Sequence, residues 1–342
     1  MREIILGSTG IRSPQNAFGA LPIQRISEAD AVYLLQKALD HGMTYFDTAR
    51  AYTDSEEKMG VAFHDRRDKI TIATKSQSKT PDKVRADLEQ SLKNLQTDYI
   101  DVYQFHCVDQ CYKPGDGTGM YEEVLRAKEE GLIRHIGITA HKIHIAEEIV
   151  ESGLYETLQF PFNYLTSERE IALVNRCKEK NIGFICMKGL SGGLLTNSKA
   201  CMAFMTQFDN ALPIWGIQKE SELDEWLSFF DKTPEMDDEI KAVIEKDRAE
   251  LTGEFCRSCG YCAPCTVDIQ ISQCARMSQL VRRMPSQDWL TPHWQEEMMK
   301  IENCVDCGVC MTRCPYELKI PELLRKNLAD YKKILAGEVS VS

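Results

Sequence analysis

Over roughly the first 230 residues, short apolar runs alternate with longer amphipathic stretches, and this alternation limits the fold more than any other property of the chain. The strand-like runs are Asn16–Ala20, Thr44–Asp47, Ile70–Lys75, Tyr99–His106, Ile133–Thr139, Tyr155–Phe160, Gly183–Lys188 and Leu212–Gly216. The stretches between them carry helical spacing, as in Glu28–Asp40 and Pro81–Leu95. The second opens on Thr80-Pro81, with proline at the first helical position, where a missing N–H is tolerated. Eight strand–helix units in that length fit a closed (β/α)8 TIM barrel. An open doubly wound sheet would need a glycine-rich phosphate loop after its first strand, and none stands there. Ahead of the first unit, Ile4–Leu6 and Ile11–Ser13 flank Gly7-Ser8-Thr9-Gly10 and read as a β-hairpin.

A chain of 342 residues is long for a barrel alone, and its second half changes character. The acidic stretch Thr233-Pro234-Glu235-Met236-Asp237-Asp238 marks a boundary, giving a barrel over 1–232 and a smaller domain over 233–342. A helix at Glu239–Leu251 leads into that domain and an amphipathic helix at Pro321–Leu335 closes it. A net charge of −11 argues against nucleic acid as a partner, because phosphate binding needs basic patches, and suits a basic redox protein as partner. No uncharged apolar run approaches the roughly 18 residues of a membrane span, and the first ten residues lack the apolar core of a signal peptide. The expected compartment is the cytoplasm.

Five of the 14 cysteines (Cys107, Cys111, Cys177, Cys186, Cys201) are scattered through the barrel region, and the other nine crowd between Cys256 and Cys314. In a reducing compartment such crowding points to metal rather than disulfides. Cys304-x-x-Cys307-x-x-Cys310-x-x-x-Cys314-Pro315 is the run that holds 4Fe–4S cubanes in two-cluster ferredoxins, its fourth cysteine reaching the neighbouring cluster. The earlier run, Cys256-x-x-Cys259-x-x-Cys262-x-x-Cys265, is one residue shorter in its last gap and has Thr266 in place of proline. Crossed ligation then assigns Cys256, Cys259, Cys262 and Cys314 to one cluster, and Cys304, Cys307, Cys310 and Cys265 to the other. The competing use is a pair of zinc sites, although zinc ligands rarely follow three successive two-residue gaps. Cys274 is a reserve ligand if Cys265 is displaced, and otherwise a buried thiol.

Barrel enzymes place their chemistry at the carboxy ends of the strands. Strand two ends Phe46-Asp47-Thr48-Ala49-Arg50-Ala51-Tyr52, strand three ends on Lys75 and strand four on His106. With FDTARAY (46–52), LKNLQTDYIDVYQFH (92–106), GLIRHIGIT (131–139), QFPFN (159–163) and KGLSGGLL (188–195), the chain resembles the aldo-keto reductase family. The trailing cysteine module resembles the bacterial subgroup with a ferredoxin-like 4Fe–4S domain. The resemblance implies a catalytic set of Asp47, Tyr52, Lys75 and His106. The chemistry agrees. A free tyrosine titrates near 10, too high for easy proton exchange near neutrality, and a lysine ammonium beside it favours the phenolate. Asp47 would hold Lys75, His106 would hydrogen-bond the substrate oxygen, and Tyr52 would be the general acid.

The same resemblance implies NAD(P)H contacts from Thr139, His141, Gln159 and Asn163 near the carboxamide, with Met187 where an aromatic ring often stacks. Lys188, Leu190, Gly192 and Leu194 belong to the segment whose backbone meets the pyrophosphate, and Gly216, Gln218 and Lys219 to the loop nearest the adenosine. Glu220 and Glu222 stand where NADPH-preferring relatives carry basic residues, which makes NADH credible. Trp226 takes the place of an adenine-contacting Asn. Tyr112, Met120, Tyr164 and Trp215 suggest an apolar or aromatic carbonyl as substrate. Gly115-x-Gly117-x-Gly119 follows no strand directly and reads as a flexible loop; His41 reads as a helix-end residue. Three functions are consistent with this pattern: carbonyl reduction or alcohol oxidation beside two clusters, electron transfer in which the clusters feed the barrel or a partner, and a reductase with purely structural clusters.

Overall fold

The computed structural model describes residues 1–251, 255–314 and 316–341. Pro315, expected to brace the last cluster cysteine, lies outside the described residues. The chain falls into two compact units, Met1–Gly189 with Ser198–Lys241, and Leu190–Asn197 with Ala242–Ser342.

The first unit opens with strands β1 (Glu3–Ile5) and β2 (Arg12–Pro14), paired antiparallel with Ile4 opposite Ser13. Eight parallel strands follow: β3 (Ala17–Gly19), β4 (Tyr45–Asp47), β5 (Thr71–Ser76), β6 (Ile100–Val108), β7 (Ile133–Ala140), β8 (Thr157–Pro161), β9 (Gly183–Met187) and β10 (Ala211–Gly216). They pair in chain order, and β10 closes the ring on β3 with Ile214 opposite Ala17. One helix follows each: α1 (Glu28–Asp40), α2 (Ser55–Phe63), α3 (Pro81–Asn94), α4 (Met120–Glu129), α5 (Ile143–Ser152), α6 (Glu168–Glu179), α7 (Ser198–Met205) and α8 (Glu220–Asp231). The (β/α)8 expectation holds, with strand ends displaced by a residue or two.

Local chemistry sets the helix ends. Ser27 Oγ accepts from Asp30 N–H at the start of α1, whose buried Ala31, Leu34, Leu35 and Ala38 fall at helical spacing. Ser167 and Glu170 form a reciprocal capping box on α6. His41 ends α1, as expected, with its Nδ1 2.8 Å from Lys37 O.

The hairpin decides which end of the barrel is open. Ile4 and Leu6 join Ala17, Tyr45, Val102, Ile185 and Leu212 in the interior cluster. Burial of two such side chains contributes about 1.5–3 kcal/mol each. Gly7 bridges to Ile182, just ahead of β9, at a φ of +51°, where an added Cβ would lie 2.3 Å from Gly183 N. The hairpin therefore covers the amino ends of the strands, and the carboxy ends remain to build a site.

In the second unit, the helix Ile320–Leu335 buries Leu324, Leu328 and Tyr331. Asn327 accepts from Ser278 N–H at 2.8 Å and donates to Ala275 O at 3.1 Å, which fixes this helix to the segment between the two cysteine runs. No helix among the described residues is long and apolar enough to cross a membrane.

Candidate active site and cluster sites

At the carboxy ends of β4, β5 and β6 the four expected catalytic side chains meet. Lys75 Nζ donates to Asp47 Oδ1 at 2.6 Å and to Thr48 O at 2.5 Å, all three groups being buried. The same ammonium lies 5.2 Å from the centroid of the Tyr52 ring. The Tyr52 and His106 rings stand edge to face, 5.8 Å apart at 84°.

Burial opposes the Lys75 ammonium, but Asp47 and Tyr52 outweigh it and its pKa is raised. Burial likewise pushes the Asp47 carboxyl up against the pull of Lys75, Gln159 and Gln104. The short contact between them is that of an ammonium and a carboxylate. Tyr52 corrects the sequence-based expectation. Lys75 does favour its phenolate, yet desolvation of the phenol is larger and the pKa is raised rather than lowered. The residue as a whole is only partly accessible. His106 is held well below its usual value by burial and by Lys75, His141, Lys188 and Lys79, and is a neutral imidazole near pH 7. Its buried Nδ1 has no hydrogen-bond partner among the described residues.

A β-bulge aims that histidine. The β6–β7 register shifts between Phe105 and Val108, and Cys107 takes a φ of +55°. Thr139 Oγ1 accepts from the Cys107 backbone N–H at 2.6 Å, and Cys107 Sγ lies 3.4 Å from His141 Nδ1. Thr139 and His141 thus brace the strand end that carries His106. Gln159 is drawn to the catalytic set through Gln104, whose Nε2 donates to Gln159 Oε1 at 3.0 Å and lies 3.4 Å from Asp47 Oδ2. The sequence gives Gln104 no role and reads Cys107 as one of the scattered, ordinary thiols. The available signal for Gln104 was an amide two residues before His106, on the same face of its strand, and it is fully buried here.

The remaining expected nucleotide residues are distributed more widely. Asn163 Nδ2 donates to Lys188 O at 3.0 Å, Lys188 having a φ of +59°, and Met187 packs against the interior cluster. Gly216 is exposed at the end of β10, with Gln218 and Lys219 just beyond it. The Glu222 carboxylate accepts the backbone N–H groups of Gln218 and Lys219 at 2.9 and 3.1 Å. Glu220 is paired with Lys37 at 2.7 Å. Leu190, Gly192 and Leu194 belong to the second unit. Trp226 is buried and stacked on Trp215, rings 3.9 Å apart and 7° from parallel, and is not placed to meet an adenine. Tyr112, Met120, Tyr164 and Trp215 are core residues, each less than a tenth exposed, Trp215 lying within β10 and Met120 opening α4. Gly115, Gly117 and Gly119 take φ values of +73°, +82° and +68° in the loop before α4.

In the second unit, Cys262, Cys265, Cys304, Cys307 and Cys310 line one cavity, together with Ile271 and Leu324. The Thr266 hydroxyl lies 3.4 Å from Cys307 Sγ and holds that thiol below its usual pKa. Cys256 and Cys262 are buried, which pushes both thiols up, and each also feels Cys259 and Cys314. Cys310 instead feels Cys304 and Cys307. The cysteines of this unit suit cubanes held by thiolates. Cys274 is fully buried with its Sγ 3.8 Å from Glu297 O, and burial pushes it up to about 12. It is the ordinary thiol of the default reading.

Comparison with known proteins agrees with both halves. Residues 3–211 match the aldo/keto reductase family. The chain belongs to that family. Residues 255–319 match a 4Fe–4S dicluster domain, which accounts for the eight paired cysteines beyond the reductase barrel. Among curated relatives, the aldo-keto reductase YhdN of Bacillus subtilis is 30% identical over 215 residues, 57% of this chain and 64% of that protein. L-galactose dehydrogenase of Arabidopsis thaliana is 29% identical over 214 residues, 56% of this chain and 66% of that protein. This aldo/keto reductase thus spans somewhat under two thirds of the length of these relatives. In fold it is similar to an aldo-keto reductase from Bacillus halodurans in its holo form, with a TM-score of 0.63 and 19% identity over 72% of this chain and 96% of that one. A Klebsiella pneumoniae aldo-keto reductase solved with NADPH gives a TM-score of 0.59 at 19% identity, over 72% of this chain and 95% of that one.

Proposed function

We propose that the barrel reduces a small carbonyl compound, or oxidises the corresponding alcohol, with a nicotinamide nucleotide, and that the C-terminal unit holds two 4Fe–4S clusters. The observation that carries this reading is the Lys75 ammonium set between the Asp47 carboxylate and the Tyr52 ring, with neutral His106 edge-on. When bound, NAD(P)H supplies a hydride to the carbonyl carbon. Tyr52 donates its proton to the carbonyl oxygen, and the Lys75 ammonium stabilises the phenolate left behind. Burial makes the phenol a weak acid until that charge transfer occurs, so the stabilisation acts mainly in the transition state. His106, neutral and short of one partner, can donate a hydrogen bond to the substrate oxygen without competing for the proton.

Asp47, Tyr52, Lys75 and His106 are assigned as catalytic, and Thr139, His141, Gln159, Asn163, Met187 and Lys188 to the nicotinamide end. The backbone of Leu190–Leu194 is assigned to the pyrophosphate. Glu222 already satisfies the amides of Gln218 and Lys219, and its charge there favours NADH over a nucleotide with a 2′-phosphate. A barrel over 1–232 and a cluster domain over 233–342, in a cytoplasmic protein, complete the reading.

One observation favours a second role for the clusters. Cys307 is exposed beside Val305 at 65% and Met311 at 43% exposure, an apolar rim around one cluster site that suits electron exchange with a redox protein. The test of the catalytic reading is Tyr52→Phe. Turnover should fall by about 10²–10⁴ while nucleotide binding and fold remain. A variant keeping more than about a tenth of wild-type turnover would remove Tyr52 from the role of acid.

A further inference from the structure

The segment that follows β9 in the chain is fixed within the C-terminal unit by two arginines. Arg276, only 6% exposed, donates from Nη1 to Gly192 O at 2.6 Å and from Nε to Ser272 O at 3.1 Å. Arg283 donates from Nε to Leu194 O at 2.7 Å and is itself held by Asp247 and Glu250, each at 2.5 Å. Between these anchors the backbone is left-handed, with φ of +48° at Ser191, +68° at Gly192 and +92° at Gly193. Ser191 pays for that geometry without a side-chain bond, since its buried Oγ has no partner among the described residues.

Gly192 occupies a slot shared with the first cysteine run. A Cβ there would lie 2.9 Å from Arg276 Nη1 and 3.0 Å from Ser258 Cβ. Ser258 sits between Cys256 and Cys259, and its backbone N–H donates to Cys256 Sγ at 3.4 Å. One wall of the slot is therefore the loop that would carry a cluster, and the other is a buried cation.

We propose that Arg276 is a positioning residue that couples the charge of the cluster held at Cys256 to the conformation of Leu190–Asn197. A buried guanidinium has few partners, and here Nη1 is held by Gly192 O beside the Ser258 wall whose backbone N–H is bonded to the Cys256 sulfur. Reduction by an external one-electron donor such as dithionite adds one negative charge at the thiolate-bound cluster. No bond is made or broken and no proton is taken up. Arg276 is then drawn toward Cys256, its donation to Gly192 weakens, and the strained Ser191-Gly192-Gly193 turn loosens. This rests on the reading that Leu190–Leu194 meets the dinucleotide, and under it cluster reduction weakens nucleotide binding. Linkage makes the effect reciprocal, so bound nucleotide disfavours reduction of that cluster.

The test uses the cluster-loaded full chain under anaerobic conditions. Hydrogen exchange of the peptide containing Leu190–Asn197 is measured in the oxidised and dithionite-reduced states, and a redox titration followed by electron paramagnetic resonance gives the cluster potentials. In the wild type, reduction should speed exchange in this peptide. Arg276→Gln should exchange quickly in both states and shift one cluster to a more negative potential. Arg276→Lys should keep the potential near wild type while still losing exchange protection, because charge survives and the two-pronged geometry does not. NADH and NADPH titrations should show affinity falling about fivefold or more on reduction. Equal wild-type exchange in the two redox states would overturn the proposal without recourse to any variant. So would an unchanged potential in cluster-replete Arg276→Gln. A redox-dependent loop in a protein that binds neither nucleotide would instead sink the nucleotide assignment and leave the coupling standing.

Discussion

Replacing Lys75 by Met separates what the buried ion pair does for the fold from what it does for catalysis. Asp47 is 2% exposed, and without the ammonium the side chains left to it are the amides of Gln159 and Gln104, the latter at 3.4 Å. Leaving one member of a buried pair uncompensated costs about 3–5 kcal/mol. For a barrel of this size each kcal/mol moves the melting point by about 2–4 °C, so Lys75→Met should melt about 6–20 °C lower. Adding Asp47→Asn to the same chain removes the stranded charge. The double variant should therefore regain much of the lost stability, with a coupling of about 2–3 kcal/mol in the double-mutant cycle. Activity should not return with it, because Tyr52 has lost the cation that stabilises its phenolate, and turnover should stay about 10²–10⁴ below wild type in both variants. Denaturant unfolding followed through the exciton signal of the stacked Trp215–Trp226 pair reports on the barrel itself. Additive destabilisation in the double variant would refute the coupled pair. Restored turnover in it would refute the catalytic role of Lys75.

Two further outcomes test the electrostatics and the cluster ligation. His106 and His141 are both held neutral, so the unfolded chain binds more protons than the folded one below about pH 6.5, and stability should fall as pH drops through that range by up to about 1.4 kcal/mol per pH unit for each. Denaturant midpoints at pH 7 and pH 5.5 measure the loss, and a His106→Asn chain with an undiminished slope would remove that residue from it. Cys314→Ser should damage the cluster otherwise held by Cys256, Cys259 and Cys262, leaving the spectrum of the cluster at Cys304, Cys307 and Cys310. Loss of the latter instead would reject crossed ligation.

The barrel and the meeting of Asp47, Tyr52, Lys75 and His106 at one end of it were legible because both depend on order along the chain. Strand–helix alternation fixes which end of each strand faces the mouth; Asp47 ends β4, and Lys75 and His106 lie just before the ends of β5 and β6. What the sequence hid depends on non-local packing. The upward shift at Tyr52 comes from desolvation, which no spacing rule measures. Trp226 matched an adenine position in the linear pattern, but its stacking on Trp215 removes it from solvent. The grouping of Leu190–Asn197 with the C-terminal unit depends on Arg276 and Arg283, more than 80 residues later in the chain (|i−j| of 84 and 89).

Hydride transfer moves two electrons together, whereas each 4Fe–4S cluster passes one, and the central claim is that carbonyl reduction in the barrel is hydride transfer. The direct measurement is an anaerobic single turnover of the cluster-loaded protein with NADH or NADPH deuterated at the transferred position of C4 and an aromatic aldehyde. The alcohol is analysed by mass spectrometry while cluster absorbance is followed. Hydride transfer assisted by Tyr52 predicts one deuterium on the carbinol carbon and no bleaching of the clusters. Alcohol formed without deuterium, with transient bleaching of the clusters, would contradict it and assign the electrons to the iron–sulfur unit.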